Sequence, residues 1–219
     1  LDALADWRGE PSGSLRLTTF PYAARTILEP RLPRFLIDNP AVSVEVNVDD
    51  RLTDIVAAGF DAGIRFGETV ERDMVAVRVG PDLRTVVVAT PDYFARHPRP
   101  DTPADLEVHR CVNYRLVGGG GLLPWEFARE GREVRVRASG QLIANDGNLA
   151  AAAVRAGAGL GYMLEYEVAG DIAAGRLVQV LDHWCPPFPG CYLYYPDRQV
   201  TPAMRSLIEA LRWRGGAIR

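Results

Sequence analysis

Hydrophobic positions along this chain recur with two alternating periods, and one stretch shows both. Val42, Val44, Val46 and Val48 alternate with Ser43, Glu45 and Asn47, a period of two that predicts a strand with one valine face on a core. Asp49-Asp50-Arg51 then stands where a helix would open, with Leu52, Ile55 and Val56 on one face and Gly59 as its left-handed exit. Residues 60–67, Phe-Asp-Ala-Gly-Ile-Arg-Phe-Gly, return as a buried strand. The pattern predicts a βαβ unit. In open parallel sheets ligands collect beyond the carboxyl ends of strands, where Asp49, Asp50, Arg51 and Arg65 would be the polar groups on offer.

The same reading places further strands near 15–19, 75–79, 85–89, 111–114, 134–138, 142–144, 160–164, 177–181 and 192–195, with helical patterns between most of them. That alternation predicts α/β construction with mostly parallel sheets. A first helix carries Leu28, Leu32, Phe35 and Leu36 on one face, but Pro30 and Pro33 lie within its run, so its first turn is expected to be irregular or kinked. The last helix is cleaner: Thr201 can cap it, Pro202 suits its first position, and Met204, Leu207, Ile208 and Leu211 form its buried stripe. Gly118 to Gly121 reads as a flexible loop.

Composition narrows the function classes. A chain of 219 residues with 47% hydrophobic content can build proper cores, as one large or two small domains. Lys+Arg 25 against Asp+Glu 28 leaves a formal charge of −3, and no dense basic run appears, which argues against grip on nucleic acid through phosphate neutralisation. Cys111, Cys185 and Cys191 lack metal-type spacing and read as reduced, cytoplasmic thiols, with a Cys185–Cys191 disulfide as the alternative. No stretch approaches eighteen apolar residues, so no membrane span is expected. His97, His109 and His183 sit in dissimilar contexts, Ser12-Gly13-Ser14 lacks a nucleophile elbow, and no cysteine precedes a base-bearing motif. Neither catalysis, a metal nor a cofactor is expected. Gly157 to Gly161 invites a dinucleotide reading, yet it follows a helix and precedes a strand, the reverse of a phosphate loop.

Several segments in one order carry a resemblance. The run Asp50-Arg51-Leu52-Thr53-Asp54-Ile55-Val56, then Gly59-Phe60-Asp61 and Ile64-Arg65-Phe66-Gly67, closely resembles the effector-binding domain of LysR-type transcriptional regulators. Pro11 to Leu17 is similar to that family's first strand, and Pro30 to Phe35 with Asn39-Pro40 to its first helix. Ala89 to Ala95, Thr102 to Leu106, Asn145-Asp146-Gly147 and Gly157 to Gly161 follow the family's order. The resemblance implies a type 2 periplasmic-binding-protein-like fold: two Rossmann-like lobes, a cleft between them and two crossover strands. It implies the end of a linker helix at 1–11, lobe I at 12–88 and 191–219, and lobe II at 89–190. The family's amino-terminal winged helix-turn-helix is missing from these residues, so promoter DNA would be met only through that domain. A periplasmic solute-binding protein is the rival reading.

Candidate site residues follow from both lines. Thr18, Thr19 and Phe20 come directly after the first strand, where hydroxyls and backbone N–H groups suit a carboxylate, although finishing the strand or capping a helix would also explain the threonines. Arg65, inside an otherwise apolar strand end, requires a partner, either a ligand carboxylate or a nearby aspartate. One acid of the Asp49-Asp50 pair is expected to cap the Leu52 helix while another residue there faces the cleft. Asn145 and Asp146 open the helix of residues 149–156, as caps or as ligand contacts. The resemblance adds Tyr114 and Arg115 as pocket residues, with Trp125, Tyr162 and Glu165 weaker. The implied ligand is a small effector, a carboxylate or an aromatic acid, acting by allostery in a cytoplasmic regulator. Family members also pair antiparallel as homodimers, with tetramers at full length, which marks Ile27, Arg31, Arg34, Ala152 and Arg155 as interface candidates.

Overall fold

The structure is a computed structural model that describes residues 10–51, 53–67, 74–116, 121–196 and 200–215. The chain divides into two compact units, one made of Leu1–Asp82 with Pro189–Arg219, the other of Leu83–Phe188. The sequence reading placed 83–88 with the first lobe; those residues instead start the second unit, because the strand at Thr85–Ala89 pairs within the second sheet.

The first unit holds β1 (Gly13–Thr19), β2 (Val42–Val48), β3 (Ala62–Phe66), β4 (Met74–Arg78) and β12 (Cys191–Pro196), in the order β2-β1-β3-β12-β4. The second holds β5 (Thr85–Ala89), β6 (Cys111–Tyr114), β9 (Leu142–Ala144), β10 (Leu160–Leu164) and β11 (Val178–Val180), in the order β11-β5-β10-β6-β9. Both sheets have one wiring. β1 pairs parallel with β2 and β3, and β6 pairs parallel with β9 and β10. The reversed strands β12 and β5 then make the antiparallel pairs with β3 and β4, and with β10 and β11. The expectation of mostly parallel sheets is thus corrected. One reversed strand, inserted second from an edge, converts two pairings of each sheet.

The hairpin of β7 (Trp125–Arg129) and β8 (Arg132–Val136) stands apart, turning through Glu130 and Gly131 in left-handed backbone (φ 52° and 78°). Sequence reading missed β7. Its Trp125 and Phe127 alternate inward and both are buried, but only five residues carry the pattern.

The first helix is irregular around Pro30, as expected, although Pro33 removes no helical hydrogen bond. The segment breaks into α1 (Pro21–Ala23), a π-helical turn at Ala24–Leu28 and α2 (Leu32–Asp38), with Pro21 and Pro33 each in a first turn, where a missing N–H costs nothing. Among the described residues, the helix expected after Asp49 is reduced to a turn. In that turn Asp54 Oδ1 accepts from Val56 N and Ala57 N, both at 3.0 Å, and Phe60 N and Gly59 N donate back to Ile55 O and Val56 O. Those last two bonds close a Schellman motif around Gly59 (φ +71°), so the exit read from sequence is real while the helix before it is one turn long. Asp54, not Asp49 or Asp50, is the cap.

α6 (Pro202–Leu211) matches its reading. Thr201 accepts from Met204 N at 3.2 Å, and Met204, Leu207, Ile208 and Leu211 lie in the first unit's core with Leu17, Ile27, Phe35, Ile64 and Leu193. In the second unit α4 (Gly147–Arg155) lays Ala150, Ala151 and Val154 on Val86, Val88 and Met163. Gly161 permits that approach, since a Cβ there would come within 2.6 Å of Val154. α5 (Glu165–Ala173) is tied to α4 through Asp171, which accepts from Arg155 at 2.7 Å and Arg176 at 2.6 Å. The cysteines are free and buried, and burial pushes their thiols up to about 12 for Cys111 and Cys191 and about 11 for Cys185. None is a ready nucleophile near neutral pH. Residues 1–9 of the expected linker-helix end (1–11) and residues 118–120 of the expected glycine loop (118–121) lie outside the described residues.

Candidate functional site

Polar residues singled out in the sequence gather at strand ends, one group in each unit. In the first unit, Thr18 and Thr19 end β1, Asp49 and Asp50 follow β2, and Arg65 lies near the end of β3. Register holds them together: Thr19 pairs with Val48, Thr18 with Gly63, and Asp49 N donates to Thr19 O at 2.8 Å. In the second unit, Tyr114 and Arg115 end β6 while Asn145 and Asp146 follow β9. Here Tyr114 pairs with Ala144, its hydroxyl donates to Asn145 O at 2.9 Å, and Arg115 N donates to Ala144 O at 2.8 Å. Because β1 and β6 are the middle strands of equivalent parallel trios, and β2 and β9 their outer neighbours, the two groups occupy the same position in the shared wiring.

Arg65 has a defined set of partners, backbone carbonyls and one hydroxyl among the described residues. Its residue is 4% exposed. Nη1 donates to Ile64 O at 2.8 Å; Nη2 donates to Arg51 O at 2.9 Å, and to Thr18 Oγ1 and Asp49 O at 3.2 Å. Nε is buried without a partner, and among the described residues Arg65 makes no ion pair. Burial lowers its pKa, an effect opposed by the fields of Tyr194, Asp50 and Asp49. The guanidinium therefore substitutes for the missing helix: it supplies the donors that loop carbonyls 49 and 51 would otherwise lack.

The neighbouring acid is paired within its own loop. Asp49 accepts from Arg51 Nε at 2.6 Å and from Arg51 N at 2.8 Å, and the Arg51 hydrogen bond holds its carboxyl below the usual range. Asp50 is half-buried. Thr18 and Thr19 are both buried, Thr18 facing Arg65, and the Thr19 hydroxyl has no partner among the described residues. Phe20 packs edge-on against Phe66 at 4.6 Å and stacks near Tyr22 at 5.9 Å, closing β1 with an aromatic group.

The second group is more open. Asn145, Asp146 and Arg115 are exposed and Tyr114 is half-buried. Asp146 caps α4, accepting from Leu149 N at 2.8 Å, as capping preference predicted. The weaker candidates have structural roles. Trp125 is buried and stacks on Tyr162 at 5.4 Å, Tyr162 donates to Glu126 O at 2.7 Å, and Glu165 accepts from Arg84 Nε at 3.2 Å.

Tyr194 is a residue the sequence reading missed at this site. It sits across from Gly63 in register, and a Cβ on Gly63 would fall 2.4 Å from its ring. A glycine inside an apolar strand was the available signal, since it marks close approach by another group. Of the interface candidates, Ile27 is buried in the first core, and Arg31 donates to Val79 O and Leu211 O at 2.8 Å. Arg34 and Ala152 are exposed, and Arg155 reaches Asp171 and Glu167 O.

Two mixed sheets with one wiring and polar groups at their strand ends define a type 2 periplasmic-binding-protein-like domain. The family profile described as LysR substrate binding domain matches residues 8–215, and the chain belongs to the LysR-type transcriptional regulators. It is 47% identical over 214 residues to a putative transcriptional regulator of Pseudomonas aeruginosa, covering 97% of this chain and 70% of that protein. It is also 40% identical to the HTH-type transcriptional regulator PgrR of Escherichia coli, covering 97% and 72%. Among solved structures, the regulatory domain of AphB from Vibrio vulnificus superposes with a TM-score of 0.71 at 23% identity, covering 93% of this chain and 98% of that one. These relatives are named as regulators, and the family is one of regulators, not of enzymes. No helix among the described residues is long and apolar enough to cross a membrane.

Proposed function

We propose that this chain is the effector-sensing and oligomerisation domain of a cytoplasmic LysR-type regulator. A small carboxylate or aromatic acid is taken in the interlobe cleft that the family resemblance implies, through Thr18, Asp50 and the loop held by Arg65 on one side and Tyr114, Asn145 and Asp146 on the other. The observation that carries this reading is the gathering of those residues at equivalent strand ends of two equally wired sheets. Ligand binding alters function only through different affinity for two arrangements of the protein, and the regulator's response is such a shift. Promoter DNA is met by the winged helix-turn-helix of the full-length protein.

A panel of aliphatic and aromatic carboxylates, screened by thermal shift and followed by calorimetry, tests the effector reading. For a hit, Thr18→Ala and Asp50→Ala should each weaken binding about tenfold or more, the cost of a lost hydrogen bond in a buried site. A hit whose affinity both variants leave unchanged moves the site elsewhere.

The oligomerisation part is supported by exposed apolar side chains on a helix and an outer strand of each unit. Ile37 on α2 is 70% exposed and Leu149 on α4 is 55% exposed, and Val48 on β2 and Ile143 on β9 are exposed as well. Scattered exposed apolar residues are ordinary, but the family resemblance implies pairing through these two helices. We place the homodimer contact there. Ile37→Glu with Leu149→Glu should convert a sedimenting dimer to a folded monomer. A wild-type monomer at micromolar concentration, or a dimer untouched by both changes, overturns it.

A further inference from the structure

The second unit carries a buried imidazole cluster that no part of the effector reading uses. Tyr93 in α3 (Pro91–Phe94) is almost fully buried, as is His109, which follows the 3-10 turn Pro103–Val108 and leads into β6. Tyr93 Oη accepts from Arg110 N at 3.1 Å and lies 3.1 Å from His109 Nδ1. No other acceptor is within reach of the Tyr93 hydroxyl among the described residues, so its proton goes to Nδ1, and the neutral ring carries its own proton on Nε2. His97 stacks on the opposite part of this assembly. Its ring lies 4.2 Å from that of Tyr93 at 13°, its Nδ1 lies 3.0 Å from Tyr93 O, and its centroid is 6.4 Å from that of His109.

Protonation at Nδ1 breaks this arrangement in a definite way. The imidazolium N–H then faces the hydroxyl that had donated to it. The Tyr93 oxygen would have to accept from both Arg110 N and Nδ1, leaving the hydroxyl proton buried with nothing to receive it. The titratable groups around the ring are His97 from the segment after α3, Asp105 from the turn and Arg110 beside β6, with Cys111 a neutral thiol. Asp105 alone favours the imidazolium, and its Oδ2 already accepts from Asp101 N, Thr102 N and Thr102 Oγ1. Burial and His97 both disfavour it, which lowers the His109 pKa.

We propose that Tyr93, His97 and His109 form an acid-sensitive latch that fastens α3 and the Pro103–Val108 turn to the lead-in of β6, and that opens when His109 takes up a proton. The signal is the proton itself, so this input is separate from the small-molecule effector. α3 begins directly after β5, with Thr90 as its cap, and Leu160 N donates to Arg110 O at 2.8 Å, so release at Arg110 reaches both β5 and β10.

The test is a histidine-detected NMR titration of the 219-residue chain between pH 8 and 5, with amide hydrogen exchange across the same range after correction for intrinsic rates. Wild type should show His109 as the Nε2–H tautomer, titrating below an ordinary imidazole, with protection at the Arg110 amide falling about tenfold for each pH unit once protonation drives opening. His109→Gln should remove that pH dependence and His97→Gln should leave most of it. Tyr93→Phe should raise the His109 titration toward the ordinary value by freeing Nδ1. An ordinary titration in wild type, the Nδ1–H tautomer, or Arg110 protection that does not change with pH would each overturn the latch. The wild-type measurement decides this even if a variant fails to fold.

Discussion

Arg65 donates to the Thr18 hydroxyl at 3.2 Å from a guanidinium that also holds the carbonyls of Asp49 and Arg51. A single side chain thus joins the end of β1, the end of β3 and the loop after β2. Removing it strands several buried acceptors together. Arg65→Met is expected to lower unfolding free energy by about 3 kcal/mol, and Arg65→Lys should recover only part, because an ammonium lacks the planar fork that spans these acceptors. Urea titration measures both. A methionine variant within about 0.5 kcal/mol of wild type would show that the loop finds other donors.

Thr201 has a simpler role, capping α6 through Met204 N. Thr201→Ala should cost about 1 kcal/mol and Thr201→Asp almost nothing, since a carboxylate accepts the same bond and suits the helix amino end. Calorimetric melting of the pair checks the ordering; equal melting of alanine and aspartate variants would remove the cap from the account.

Two glycines should respond oppositely to alanine. A Cβ on Gly190 would sit 1.8 Å from Pro81 O, a backbone atom that cannot swing aside, so Gly190→Ala should destabilise by about 3 kcal/mol or prevent soluble accumulation. Gly170 lies inside α5 with nothing within 4 Å of its added Cβ. Gly170→Ala should stabilise by about 0.5–1 kcal/mol through helix propensity and a less flexible unfolded chain. Denaturant midpoints moving in the same direction would contradict the geometry.

Asp171 gives a pH dependence with a fixed sign. Hydrogen bonds from Arg155 and Arg176 hold its carboxyl below the usual range. The unfolded chain therefore takes up this proton first as pH falls. The stabilisation is fully present above the ordinary aspartate pKa of about 3.9 and is lost progressively below it, toward the lower folded value. Asp171→Asn should be less stable at pH 7 and should show a shallower loss on acidification. An unchanged acid limb, read by circular dichroism from pH 6 to 2, would assign the acid sensitivity to other groups.

Legibility in the sequence followed the length and regularity of each signal. The cap, proline and stripe of α6 are local and complete and appear as read, and the valine alternation of β2 gives the strand as read, although its core-facing side fades along the strand until Val48 is exposed. The pattern after Asp49 could not reveal that a side chain sixteen residues away from it, Arg65, would satisfy loop carbonyls in place of helical N–H groups. Reversed β5 and β12 were equally hidden, because strand direction depends on connections and not on side-chain period. At the site, the strand-end positions of Thr18, Asp50, Arg65, Tyr114 and Asn145 were legible from motif order. Burial was not: nothing local distinguishes a threonine that faces a ligand from one that faces Arg65. Nor does local sequence separate the alanines of α4: Ala150 and Ala151 lie in the core and Ala153 packs against it, while Ala152 is exposed.

The placement of β12 bears on how the chain reaches this structure. Cys191–Pro196 lies between β3 and β4, yet a ribosome makes it only after all of Leu83–Phe188. During synthesis the contiguous unit has every strand it needs before the earlier-made one does. It can close its core while β1 to β4 still lack the strand that joins β3 to β4, and α6 comes later still. The amino-terminal half therefore waits with open strand edges for its last partners, a period of aggregation risk that long-range pairing imposes and that chaperones would shorten.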